Sequence, residues 1–131
     1  MIKRTPLTTI LFVMFLSPTV VLAEGAHRYF DCTTTLLCNE TGACEAASDS
    51  LTFHLAPLDA GEDGSGNFML SYQDQEVVMQ ALSDAGPYIW RLGNDRHTLL
   101  ASSETAFLWH QLILDGRPES RIRYLHCELR Y

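Results

Sequence analysis

Turn-forming residues interrupt this chain of 131 residues at short intervals, and that spacing limits the folds that it can adopt. Beyond residue 23, apolar stretches recur at intervals of about 8 to 12 residues, as in barrels and sandwiches. The segments between them are NETGA (39–43), PLDAGEDGSG (57–66), QDQ (73–75), SDAGP (83–87), GNDR (93–96), SSE (102–104) and DGRPES (115–120). Gly, Pro, Asn and Asp favour turns for steric and hydrogen-bonding reasons. No long stretch has the apolar period of a helix, so the spacing predicts an all-β domain.

The apolar stretches alternate in the manner of half-buried strands. Leu51, Phe53 and Leu55 share one face, and Phe107 and Trp109 share another. We expect about eight short strands, at 28–37, 51–55, 68–72, 76–82, 88–92, 97–101, 105–114 and 121–129; segment 76–82 also suits one helical turn. Eight strands suit a small antiparallel up-and-down barrel with a filled interior, and a β-sandwich is the alternative.

The N-terminus has the pattern of a secretory signal peptide. Lys3 and Arg4 precede an apolar run that is densest at 10–16, and Val21-Leu22-Ala23 offers a cleavage site. The run is shorter than the roughly 20 apolar residues of a spanning helix. We therefore expect residues 1–23 to be removed, leaving 24–131 as a single disulfide-stapled β domain. No later stretch is long enough to span a bilayer, so we expect a periplasmic or extracellular protein without membrane insertion.

The mature chain is strongly acidic. All 16 acidic residues remain after cleavage, whereas the 9 basic residues fall to 7 because Lys3 and Arg4 are lost, which gives a net charge of 7 − 16 = −9. Nucleic acid is excluded as a partner because its phosphates would repel this chain. A basic protein is the partner that such a charge would attract by electrostatic steering. The composition sets no oligomeric state.

The four cysteines indicate a covalent framework. The spacing of Cys32, Cys38 and Cys44 (C-x5-C-x5-C) matches neither common zinc sites nor a C-x-x-C redox motif. Exported thiols pair in an oxidising compartment. We prefer Cys38–Cys44 across the NETGA turn and Cys32–Cys127 between the chain's ends, since a closed barrel places its first and last strands side by side. The rival pairing is Cys32–Cys38 with Cys44–Cys127.

Motifs for catalysis and for cofactors are missing from the sequence. It contains no G-x-S-x-G, no H-E-x-x-H and no phosphate-binding glycine loop. The segment 63–67 begins like a calcium loop, but Phe68 and Asp74 occupy the positions that need Gly and Glu. We therefore predict no enzymatic activity, no catalytic residue, no cofactor and no metal site. The histidines, which lie far apart in sequence, are His27, His54, His97, His110 and His126.

Aromatic residues are the remaining candidates for a recognition surface. Tyr88 and Trp90 follow Gly86 in and after the SDAGP turn, and Tyr and Trp are favoured in binding hot spots. At alternating strand positions, however, the same residues belong more often to the core. Gly86, Tyr88 and Trp90 are the binding residues that we predict.

Four segments give the chain a resemblance to a known family. They are YFDC (29–32), DAGPYIW (84–90), AFLWH (106–110) and YLHCEL (124–129). In this order they resemble elements of the small secreted β-barrels that inhibit C-type lysozyme. That family has an aromatic-x-Cys start, a Ser-Gly-x-x-Tyr loop, a Trp-containing strand and a C-terminal Cys. Here Ala85 replaces the loop serine, and the mature chain has no lysine to match the family's basic contact.

The resemblance implies a mode of action. Tyr88 and its neighbours around Gly86 would insert into the partner while acidic loops steer the encounter. We therefore expect an exported, non-enzymatic protein-recognition module, inhibitor-like towards a basic partner such as a lysozyme-type hydrolase. The alternatives are a carrier of a small apolar ligand, held in an open barrel, and a structural or accessory protein of the cell envelope.

Overall fold

The computed structural model describes residues 27–131, so the predicted signal peptide lies outside the described residues. Nine strands and no helix are found in this part of the chain. They are β1 (Arg28–Asn39), β2 (Cys44–Ala46), β3 (Ser50–Ala60), β4 (Gly66–Tyr72), β5 (Gln75–Ala81), β6 (Tyr88–Leu92), β7 (Asp95–Ala101), β8 (Ala106–Ile113) and β9 (Glu119–Arg130). No helix within 27–131 is long and apolar enough to cross a membrane.

The sheet closes on itself as an antiparallel barrel. Strands β3 to β9 pair in chain order, β3 also pairs with β1, and β9 pairs with β1 to close the ring of eight. The extra strand, β2, pairs with the far end of β1. The prediction of a small up-and-down barrel is confirmed, and the sandwich alternative is wrong.

Alternation along the strands decides which side chains fill the interior. Phe53 and Leu55 on β3, like Leu70 on β4 and Leu99 on β7, are fully buried. Residues on the opposite phase of each strand face outwards. Large side chains occupy the barrel axis, where Trp109 meets Phe53 and Tyr72 at ring-centroid distances of 5.3 and 5.6 Å. The interior is therefore a packed core.

Both disulfides lie between directly paired residues. Cys32 is opposite Cys127 in the β1–β9 register, and Cys38 is opposite Cys44 in the β1–β2 register. The bonds Cys32–Cys127 and Cys38–Cys44 are both formed, which is the pairing that we preferred. The Cys32–Cys127 bond joins the first and last strands at the seam where the barrel closes.

Three details of the strand prediction differ from the structure. Segment 76–82 is strand up to Ala81 and has no helical turn. The loop expected at 57–66 is shorter, because β3 continues through a register shift near Pro57 to Ala60. Strand β2 was missed, since its three residues are all exposed and carry no alternating apolar signal.

Candidate functional site: the acidic end of the barrel

Three loops meet at one end of the barrel, because alternate strand connections fall on the same side. They connect β3 to β4 (61–65), β5 to β6 (82–87) and β7 to β8 (102–105). The backbone N–H of Ala101 donates to the carbonyl of Ala85 at 3.2 Å. A Cβ added to Gly64 would lie only 2.7 Å from the Cα of Asp84. The three loops therefore form one continuous surface, which we call the acidic end.

Charge is distributed unevenly between the two ends of the barrel. The three loops contain no Lys or Arg. Among the exposed arginines, Arg91, Arg96 and Arg117 lie at the opposite end, on or near the β6–β7 and β8–β9 turns. Arg130 lies at the same end as the three loops, opposite Tyr29, and is paired with Asp31. The acidic end thus presents a negative surface that would attract a basic protein. Its exposed carboxylates belong to Asp59, Glu62, Asp63, Asp84 and Glu104.

A buried arginine closes the barrel beneath these loops. Arg28 begins β1 on the inward phase, and its side chain is only 9% exposed. Its guanidinium Nη1 donates to the Asp84 carboxylate at 2.6 Å and to the Asp84 carbonyl at 3.1 Å. Its Cζ lies 5.3 to 5.9 Å from the ring centroids of Phe30, Phe68 and Tyr88. The charge is therefore compensated by one carboxylate and three aromatic faces.

The loop at 82–87 is fixed on several sides. The N–H of Gly86 donates to the Ser83 carbonyl at 3.0 Å, and that of Leu82 donates to the Pro87 carbonyl at 3.1 Å. Gly86 has φ +89, and a Cβ there would lie 3.0 Å from the Leu99 carbonyl oxygen. Only glycine adopts such a φ readily, so the turn requires Gly at this position. The loop is consequently preorganised.

Asp84 pairs with the buried Arg28, but its own side chain is exposed. Its side chain is 80% exposed even though it is paired with Arg28. Its carbonyl also accepts a hydrogen bond from the Tyr88 hydroxyl. Burial is the main cause that raises the pKa of Tyr88, so the phenol stays protonated as a donor. The carboxylate of Asp84 is therefore exposed to solvent while it is held in position by Arg28.

The three predicted binding residues are all buried. Gly86 is buried in the loop, Tyr88 is fully buried, and Trp90 is 2% exposed. The indole N–H of Trp90 donates to the Tyr72 hydroxyl at 3.1 Å, deep inside the barrel. Neither Tyr88 nor Trp90 presents its side chain to a partner in this structure, because alternation along β6 points both inwards. Tyr88 contacts loop 82–87 from inside the barrel, where its hydroxyl donates to the Asp84 carbonyl. The exposed surface of the acidic end therefore consists of other residues.

Sequence reasoning missed the pair Arg28 and Asp84. One signal was available, since Arg28 shares its alternating phase with Phe30 and Cys32, and an inward arginine needs an acidic partner. The identity of that partner required the tertiary structure, because Asp84 is 56 residues away.

The histidines do not gather around a metal position. No group of three or more His, Cys, Asp or Glu residues with suitable geometry occurs within 27–131. His27 and His54 share one hydrogen bond of 3.0 Å between ring nitrogens on the outer wall. His110 on β8 lies opposite Ile122, and His126 on β9 lies opposite Ala106. The two histidines therefore do not face each other across the β8–β9 hairpin.

Comparisons of the chain with protein-family models, with curated proteins and with solved structures gave no match. The functional argument therefore depends on the geometry and charge of the acidic end.

Proposed function

We propose that this protein is an exported, non-enzymatic recognition module that binds a basic protein through its acidic end. One observation carries the proposal: the exposed carboxylate of Asp84 is held on a fixed loop by the buried Arg28. Four further exposed carboxylates lie at the same end of the barrel, and the loops there contain no Lys or Arg. The two disulfides are compatible with an oxidising, exported environment.

Preorganisation is the reason why such a loop suits binding. A loop that is already ordered loses little conformational entropy when a partner docks. Complementary charge raises the rate of encounter and suppresses wrong partners. Arg28 donates to the Asp84 carboxylate from the barrel side. The solvent-facing side of that carboxylate can therefore accept hydrogen bonds from Lys or Arg of the partner.

A cationic hydrolase of the lysozyme type is the specific partner that we propose. The resemblance in segments 29–32 and 84–90 supports it, and so does the position of the second segment at the acidic end. The burial of Tyr88 changes the expected contact. The backbone of 83–87 and the Asp84 carboxylate would enter the partner's cleft, and Tyr88 would stiffen the loop from within.

The filled core favours recognition over a carrier of a small apolar ligand. Side chains such as Phe53, Met79 and Leu99 are fully buried inside the barrel, at positions where a carrier would hold its ligand. An accessory envelope protein would instead reside in a larger assembly, which crosslinking in the native host would detect.

A binding assay with lysozyme at low salt tests the proposal. We expect a 1:1 complex by calorimetry, slower cell-wall hydrolysis, and an affinity that falls as salt rises. The double variant Glu62→Gln/Glu104→Gln should weaken binding by about tenfold or more, since each charge pair at an interface contributes on the order of 1 kcal/mol or more. Glu62 and Glu104 are both exposed on loops of the acidic end.

The matched control removes the same charge from the other end. Glu40→Gln/Asp74→Asn changes the net charge equally, and Asn tolerates the positive φ of Asp74. This variant should bind almost as tightly as the parent. If lysozyme neither binds nor loses activity, the specific partner is wrong; if both double variants weaken binding equally, the acidic end is not the contact surface.

A further inference from the structure

Two arginines lie directly opposite each other on the outer wall of the barrel. Arg91 on β6 is paired with Arg96 on β7, and both side chains are exposed. The hairpin between them has a two-residue turn, so its flanking pair, Leu92↔Asp95, exchanges both backbone hydrogen bonds. The next pair along, Arg91↔Arg96, is therefore non-hydrogen-bonded. In such a pair the two Cβ atoms are only about 4.5–5.5 Å apart, so the two guanidinium groups begin from neighbouring points.

Neither arginine of this pair has a carboxylate partner in the part of the chain that the structure describes. The four ion pairs there belong to Arg28, Arg121, Arg123 and Arg130. Glu76, which faces outwards on the neighbouring strand β5, is not within ion-pair distance of either guanidinium. Like charges on directly opposed residues destabilise a sheet. Residues that lower stability in this way are typical of functional sites.

The wall around the pair differs in charge from the rest of this acidic chain. The outward positions of β6, β7 and β8 contain no Asp or Glu. Leu112 lies directly opposite Arg96 on β8, and the exposed Ile89 lies two residues before Arg91 on the same face of β6. The pair is therefore bordered by apolar side chains, and no carboxylate of these three strands competes with an anion on this face.

The two turns next to the pair bring a third arginine to this side of the barrel. The Asp95 carboxylate accepts a hydrogen bond from the backbone N–H of Leu114 at 2.9 Å. The Asp115 carboxylate accepts one from the side-chain N–H of Asn94 at 3.0 Å. These bonds join the β6–β7 turn to the β8–β9 turn, which carries the exposed Arg117. Both carboxylates are thus engaged in joining the turns.

We propose that Arg91 and Arg96 form a binding site for a phosphate group. A guanidinium donates two hydrogen bonds in a fork that matches phosphate oxygens, and two adjacent forks can converge on one tetrahedral anion. A phosphate monoester has a charge of about −1.5 to −2 at pH 7, so it compensates both cations, whereas a carboxylate compensates one. Inorganic phosphate and a lipid headgroup both supply this chemistry.

The phosphate site is separate from the acidic end. Arg91 lies near the end of β6 that is remote from the 82–87 loop, and its side chain is on the outer wall. The inference therefore goes beyond the proposed function and does not depend on it.

Titration of the mature protein with inorganic phosphate, at constant ionic strength, tests the site itself. We expect saturable NMR shifts of the backbone amides of β6 and β7 and of the side-chain Nε–H groups of Arg91 and Arg96. Arg91→Gln/Arg96→Gln should weaken binding at least about tenfold, because it removes the charge-assisted hydrogen bonds. The control, Arg121→Gln/Arg130→Gln, removes the same charge from arginines that already have carboxylate partners. The control should bind phosphate like the parent.

The variant Arg96→Glu gives an independent test, since its two expected effects have opposite signs. It replaces a like-charge pair by an ion pair with Arg91, so Tm should rise by about 1–5 °C while phosphate binding is lost. Added phosphate should raise the Tm of the parent and leave that of the variant unchanged. A lower Tm in Arg96→Glu would overturn the proposal, because Arg96 would then stabilise the fold without a ligand.

Vesicles distinguish a lipid headgroup from free phosphate as the source of the group. The probes are phosphatidylcholine vesicles with and without phosphatidic acid. Sedimentation of the protein only with phosphatidic acid, and its loss in Arg91→Gln/Arg96→Gln, would assign a lipid headgroup, to which the exposed Ile89 adds an apolar contact. Binding of inorganic phosphate without sedimentation would assign a soluble phosphate compound.

Two results of these titrations would overturn the proposal. One is the absence of arginine-dependent binding with either probe. The other is phosphate binding that both double arginine variants weaken equally, since net charge and not the pair would then be responsible. The Glu62→Gln/Glu104→Gln variant should bind phosphate like the parent, so failure of this site and failure of the acidic end are distinguishable.

Discussion

At the scale of single residues, two arginines cap the two ends of the hydrophobic core. Arg28 lies among three aromatic rings and pairs with Asp84. At the other end, Arg123 lies 5.8 Å from the Trp109 ring centroid and pairs with Asp49 at 3.0 Å. The guanidinium suits both places, since its flat face packs on aromatic rings while its edge donates several hydrogen bonds.

Replacing Arg28 by lysine should test this role. An ammonium cannot bond to the Asp84 carboxylate and carbonyl while lying flat against the rings, so we expect a loss of about 1–3 kcal/mol in the free energy of unfolding. Urea denaturation measures it. Arg130→Lys is the control, because the Arg130–Asp31 pair is about half exposed, so this substitution should lower stability much less than Arg28→Lys does. Equal losses of unfolding free energy in the two variants would show that the buried position of Arg28 does not require a guanidinium.

His97 is the buried group that should make stability depend on pH. It is 5% exposed, stacks on Trp90 at 5.0 Å, and accepts a hydrogen bond on Nδ1 from the Trp109 indole N–H at 3.3 Å. Among residues 27–131, its Nε2 has no hydrogen-bond partner. Burial is the main cause that lowers the pKa of His97 below 6.5, and the opposing effect of Asp95 is smaller.

Because the folded state holds this proton more weakly than the unfolded state, stability is complete above about pH 6.5 and falls as the pH decreases below it. We expect His97→Gln to flatten the decrease in unfolding free energy between about pH 7 and pH 5. Denaturant titrations at several pH values measure it. His110→Gln, at an exposed position, should leave the parent slope unchanged; an unchanged slope in His97→Gln would contradict the assignment.

At the scale of elements, the two disulfides constrain very different lengths of chain. Cys32–Cys127 links residues 95 apart across the closing β1–β9 seam, whereas Cys38–Cys44 links residues 6 apart within one hairpin. In the chain-entropy account, the longer loop restricts the unfolded chain more.

Removing each disulfide separately should show this difference. We expect Cys32→Ser/Cys127→Ser to cost about 4.7 kcal/mol and Cys38→Ser/Cys44→Ser about 2.4 kcal/mol in unfolding free energy. The comparison uses urea denaturation of both variants beside the oxidised parent. A larger loss from the short hairpin would mean that strain or local packing, and not loop entropy, governs these bonds.

At the scale of the whole molecule, the barrel separates charge along its axis. The strand connections alternate between the ends, so the turn sequences fall into two groups. Loops 61–65, 82–87 and 102–105 contain acidic residues without Lys or Arg, whereas Arg91, Arg96 and Arg117 lie on or near the β6–β7 and β8–β9 turns of the opposite end. A filled core keeps these groups at fixed positions, which is the preorganisation that the proposed recognition role requires.

The sequence by itself determined the strand content, because alternation and turn residues act locally. It also determined the barrel as the favoured form, and it indicated Cys32–Cys127 as the better of two pairings. Burial along each strand follows from the same local period, which explains why residues such as Phe53 and Leu55 lie in the core as their spacing predicts.

Only the tertiary structure decided what the candidate site contains. Arg28 and Asp84 are 56 residues apart and meet because β1 and the β5–β6 loop share one end of a closed ring. The same closure places the inward face of β6, which carries Tyr88 and Trp90, inside the barrel core. Contacts between distant segments depend on the register and curvature of the whole sheet, and a local pattern does not contain that information.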